Sequence, residues 1–150
     1  MNNIITPQEI VDIAFAANSN MKADNINEYI IHATERKYLV PALGADLFNA
    51  LPNYSDLCEM LKPSLAFFVK CELIPSLSLS ISNGGVAVMN PQYMTAATDK
   101  QRSLLFESEL SRAEALLSEV MEHIANNAAD YPEFRGVGRV VSKSKFGVIL

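Results

Sequence analysis

The chain has 150 residues, 49% of them apolar and 19% charged, a size that suits one domain with a core of its own. That apolar fraction excludes disordered, collagen-like and low-complexity classes, and two cysteines, Cys58 and Cys71, are too few for a disulfide framework. The formal net charge of −5 is uneven: up to Glu133 there are 8 Lys+Arg against 17 Asp+Glu, a net −9, and residues 134–150 hold four basic residues and no acid.

The first residues lack the basic start of a secretory signal, and Glu9 and Asp12 interrupt the apolar run that one needs. The richest apolar stretch, residues 57–81, contains Glu59, Lys62, Lys70 and Glu72 together with Pro63 and Pro75, so no membrane span is expected. These features describe a soluble protein of a reducing compartment.

Thr6 is placed to cap a first helix, with Pro7 at its first position and Glu9 closing a capping box. Ile10, Ile13, Ala14 and Ala17 then share a face, and residues 18–20 end the element. A second helix is expected from Asp24 or Asn25, with Ile26, Tyr29, Ile30 and Ala33 as its buried stripe. Pro41 should break it near residues 38–40. Gly44 permits a turn, and residues 45–51 read as a short helix.

Ser55 or Asp56 caps a third long helix in which Leu57, Leu61, Leu65, Phe68 and Val69 recur at helical spacing. Pro63 should kink it or split it into a fresh start, and Pro75 should end it. The period then changes to two: Leu77, Leu79 and Ile81 alternate with serines, Asn83-Gly84 is a favoured two-residue turn, and Val86 to Val88 supply a return strand. One β-hairpin is therefore expected over residues 76–89. An isolated hairpin is marginal in water, so this one needs its own domain or a neighbouring subunit for support.

Residues 90–97 read as a loop before a last helix capped by Thr98, with Gln101 as the capping-box partner. Phe106, Leu110, Ala113, Leu117, Val120 and Ile124 step by 4, 3, 4, 3, 4, a clean seam that Leu116 and Met121 widen. Asn126-Asn127 should end this helix. The fold class is thus all-α: a bundle of four to five helices over residues 1–133, one projecting hairpin, and a basic, apolar C-terminal arm over residues 134–150. Val137, Val140, Val141, Phe146, Val148, Ile149 and Leu150 make that arm too apolar for a free tail.

Motifs of catalysis are missing. There is no phosphate loop, nucleophile elbow or zinc-protease pair, and Gly136-Val-Gly138 lacks the third glycine of a dinucleotide fingerprint. Glu28 with His32 and Glu119 with His123 stand at i,i+4. Two such pairs could form a metal site between helices, but each reads better as an exposed helix pair. Cys58 and Cys71 read as small hydrophobes, and Glu107, Glu109, Glu114, Glu119 and Glu122 as a solvated face. No enzymatic activity, cofactor or metal is expected.

Three stretches carry a family resemblance: Tyr38-Leu-Val-Pro-Ala-Leu-Gly-Ala-Asp-Leu-Phe48; Leu61-Lys-Pro-Ser-Leu-Ala-Phe-Phe68 with Ile74-Pro-Ser-Leu77 and Ile81-Ser-Asn-Gly-Gly-Val86; and Ala97-Thr-Asp-Lys100 with Arg112-Ala-Glu114. Their order resembles small proteins of phage and prophage structural modules in Bacteroides-type bacteria. These in turn look like the head–tail connector (adaptor, head-completion) proteins of tailed bacteriophages, over roughly residues 5–126. The resemblance implies a helical bundle forming a homo-oligomeric ring under the portal. It implies portal and tail-completion proteins as partners, DNA passing without sequence specificity, and a place in the virion after assembly in the bacterial cytoplasm. Subunit contacts would then fall on Leu77, Leu79, Ile81, Asn83, Gly84, Val86, Val88, Phe146 and Ile149, and DNA or partner contacts on Arg135, Arg139, Lys143 and Lys145. The competing reading is a soluble helical protein–protein interaction module of bacterial host physiology.

Overall fold

A computed structural model of the chain describes residues 2–17, 19–83 and 91–135, with the backbone alone over 76–83 and 91–99. Five α-helices make up this part: α1 (Pro7–Ala14), α2 (Glu28–Leu43), α3 (Ala45–Ala50), α4 (Ser55–Asn83) and α5 (Pro91–Asn126). Short 3-10 turns stand at Ala23–Asn25, Leu51–Asn53 and Ala128–Asp130. No strand occurs among the described residues.

The start of α1 is as expected. Thr6 Oγ1 accepts the Glu9 N–H at 3.2 Å, and Glu9 Oε1 accepts the Thr6 N–H at 3.0 Å. The helix stops at Ala14, one turn early, and buries Ile10 and Ala14. In α2 the buried face is Ile31, Thr34, Glu35, Tyr38, Leu39, Ala42 and Leu43. The expected stripe is corrected, since Tyr29 is 71% exposed. A stripe read from apolar residues alone overlooks Thr34 and Glu35, whose polar groups are satisfied internally. Pro41 does not break α2 either, because Leu39, Ala42 and Leu43 are buried on both sides of it and outweigh one lost hydrogen bond. The helix ends instead at Gly44, whose φ of +85° is open to glycine at little cost.

Helices α4 and α5 form the frame. They run antiparallel: Arg112 stacks on Phe67, Lys70 meets Glu109, and the Cys71 thiol donates to the Phe106 carbonyl. Leu57, Leu61, Leu65, Phe68 and Val69 of α4 face Leu110, Ala113, Leu117, Val120 and Ile124 of α5, and all are buried. Both seams are those expected from spacing. Helix α1 lies along α4, where Glu9 pairs with Lys62 at 2.6 Å and Lys70 Nζ donates to the Ala14 carbonyl at 2.9 Å. Helix α2 closes another side through the Tyr38–Phe68 ring stack at 4.0 Å.

The hairpin is a second correction. Residues 76–83, its expected first strand, continue α4 past Pro75. A helix already nucleated and packed adds one hydrogen bond per residue, whereas a two-stranded ribbon has no further strand to lean on. The turn and return strand, Gly84 to Val88, lie outside the described residues. A third correction follows at residues 91–97, which are helical rather than a loop. Pro91 opens α5, where its missing N–H costs nothing, and Thr98 is interior. At 36 residues, α5 is about 54 Å long.

Candidate functional site

The expected contact residues Leu77, Leu79, Ile81 and Asn83 lie on the last turns of α4. A strand would have set the three apolar ones on one face. A helix repeats every 3.6 residues rather than every two, so an alternating pattern there does not make a single face. Gly84, Val86, Val88, Arg139, Lys143, Lys145, Phe146 and Ile149 are outside the described residues. Arg135 is placed: its guanidinium donates to Asp46 Oδ2 of α3 at 2.8 Å and 3.2 Å, on an open surface. Beside it Phe134 packs against the core. The first two residues of the expected arm, Phe134 and Arg135, are therefore fastened to the body.

Residues 131–133 add to that fastening. The Tyr54 hydroxyl donates to Glu133 Oε1 at 2.6 Å, and Tyr131 meets Tyr54 edge-on with ring centres 5.2 Å apart. The Tyr131 hydroxyl is 3.1 Å from His123 Nε2, and Asn127 donates to the His123 carbonyl. His123 is thus engaged by the C-terminal turn, while His32 is exposed near the start of α2. Among the described residues no group of three or more His, Cys, Asp or Glu is placed to hold a metal ion.

At the opposite end of the frame the described residues leave apolar side chains exposed. Among the described residues the α4 seam is buried as far as Ile74, beneath α1, α2 and α5, and the α5 seam is buried against α4 from Glu109 onward. Beyond that level Leu104 and Leu105 of α5 are 56% and 42% exposed. Lys100, Gln101, Ser103, Glu107 and Ser108 surround them, also exposed. This apolar spot on a polar helical face can take up a partner by burial, about 1.5–3 kcal/mol for a leucine taken fully out of water. Sequence reasoning passed over both residues because neither falls on the seam of Phe106 and Leu110. That displacement was itself the signal: a leucine off the stripe has no place in the chain's own core.

Where covered and uncovered regions meet, a charged cluster is buried. Glu109 is 5% exposed, contrary to its expected place on a solvated face. It accepts from Lys70 at 3.4 Å and from Arg112 at 3.0 Å. Lys70 lies over the Phe15 ring, and Arg112 over Phe67. One carboxylate thus ties α1, α4 and α5 together. The thiols take no part in such chemistry. Cys58 donates to the Leu51 carbonyl, and burial pushes the Cys71 thiol up to about 12, far from the reactive thiolate range.

Residues 20–143 match a family of unknown function, DUF6712. The chain belongs to the DUF6712 family. The DUF6712 span takes in α2 to α5, the exposed leucines, the Glu109 cluster and the C-terminal fastening; α1 and the residues before it precede it. No curated protein and no solved structure matches the chain. No helix among the described residues is long and apolar enough to cross a membrane.

Proposed function

We propose that this DUF6712 protein is a non-enzymatic virion component, a head–tail connector that assembles as a homo-oligomeric ring under the portal and extends the DNA channel. The observation that carries the reading is the uneven cover of the α4–α5 frame among the described residues: one end packed by α1 and α2, the other presenting Leu104 and Leu105 to solvent. A subunit built this way gains stability from a neighbour seated on its open end. The sequence resemblance to connector proteins, carried by residues 38–48, 61–68 with 74–77 and 81–86, and 97–100 with 112–114, supplies the class of assembly. A net −9 over residues 1–133 suits a lumen through which DNA slides, since phosphates are repelled rather than held.

Light scattering and negative-stain imaging of the purified chain, alone and with portal, test this reading. Rings alone or on portal are the expected result, and a strict monomer that never associates with portal sinks it. Deleting residues 136–150 should leave the body folded and weaken assembly. Gene neighbourhood separates the two classes of function: portal, capsid and tail genes alongside fit a connector, and a metabolic or regulatory operon fits a host interaction module.

A further inference from the structure

The face of α5 turned away from α4 is exposed from Leu104 to Glu122. Its apolar end is Leu104 and Leu105, 56% and 42% exposed, and beyond them Ser108, Ser111 and Ala115 present only small side chains. The exposed charges after Leu105 are Glu107, Glu119 and Glu122 against Arg112, and Arg112 already donates to Glu109. Taken from its C-terminal end, α5 therefore offers acid first and leucine after.

Residues 136–150 have the complementary order. Arg139, Lys143 and Lys145 come first, no acid occurs, and Phe146, Val148, Ile149 and Leu150 follow. The spacings agree as well: residues as far apart as Glu119 and Leu105 stand about 21 Å apart along a helix, and an extended run from Lys143 to Ile149 spans about 20 Å. Reach then separates the chain's own α5 from a neighbour's. Arg135 is held at Asp46 of α3, which packs on α2. Turning back from there means crossing the body, about 20 Å at 8–10 Å per helix layer. It also means descending about 28 Å along α5, from the level of His123 to Leu104. Residues 136–146 span at most about 36–40 Å, short of that path, so the apolar residues fall short of their own leucines.

We propose that residues 136–150 of one copy dock along the exposed face of α5 in a second copy, with Phe146 and Ile149 over Leu104 and Leu105 and the basic residues over Glu119 and Glu122. The proposal rests on the ring reading above and names the partner of the exposed leucines. Each copy then gives an arm at one end of the frame and a receptor at the other. Such a head-to-tail contact closes into a ring when the rotation between copies allows it.

Photo-cross-linking of the full chain, with Phe146→benzoylphenylalanine as the probe, reads this contact directly. Irradiation is done on the chain alone, and on portal where it assembles only there. The expected products are covalent dimers and longer ladders on a denaturing gel, with position 146 joined to residues 101–108. Leu104→Ser and Leu105→Ser together should cut the dimer yield at sub-saturating concentration about tenfold or more, the worth in affinity of one leucine taken out of water. Glu119→Lys should lower it about threefold, and adding Lys143→Glu should restore it. Should a variant lose helicity by circular dichroism, the mapped cross-link alone decides. A product of monomer size, or a yield unmoved by the double leucine variant, overturns the proposal. Rings whose cross-links map to another surface overturn it and leave the connector reading standing, whereas a chain that associates neither alone nor on portal overturns both.

Discussion

The two ends of the α4–α5 frame are built from the same kind of helix and finished differently. At one end Leu57, Leu61, Leu65 and Phe68 are fully buried beneath α1, α2 and α5, and the C-terminal turn is fastened beside them through Tyr54, Tyr131 and Arg135. At the other, from Ile74 and Glu109 outward, Leu104 and Leu105 stand in solvent among the described residues. A buried leucine at the first end is a matter of the chain's own stability, and an exposed one at the second is free to serve association. The difference separates residues that hold the fold from residues that are available to a partner.

Substitutions can break that division. Phe68→Ala, at the closed end, should have the largest effect, about 3–5 kcal/mol in a denaturant titration, because it empties a fully buried site and removes the stack on Tyr38. Lys70→Met, at the boundary, should cost about 1–3 kcal/mol by leaving the buried Glu109 with Arg112 alone. Gly44→Ala should cost about 1–3 kcal/mol through backbone strain alone, since an added Cβ meets nothing within 4 Å but φ +85° with ψ 153° is a conformation nearly confined to glycine. Leu104→Ser and Leu105→Ser should each change stability by less than about 0.5 kcal/mol while lowering self-association or portal binding by light scattering. A core-sized loss of stability at Leu104 would mean that the open end is covered by the chain itself.

Much of this division is written in the periodicity. The α4 and α5 seams follow from spacing alone, as does the Thr6 capping box, because packing and local hydrogen bonding there agree with propensity. Other features depend on tertiary context. The α2 face includes Thr34 and Glu35, polar residues that no apolar pattern marks. Pro41 and Pro75 sit inside helices where the local rule ends them. Leu77, Leu79 and Ile81 carry a strand period, yet they extend a helix begun more than 20 residues earlier at Ser55. The candidate site was legible only in part: the end of α4 was singled out for the wrong secondary structure, and Leu104 and Leu105 were visible only as leucines off a seam.

The length of α5 has a consequence for motion. A compact chain of 150 residues has a radius of gyration of about 15 Å, and a rod of about 54 Å is longer than such a body is wide. Rotation end over end is then slower than spin about the rod. Backbone N–H bonds in a helix point along its axis, so the amides of α5 should report the slowest tumbling in the molecule. Nitrogen relaxation that differs between α5 and helices inclined to it would measure how far the rod governs the whole particle.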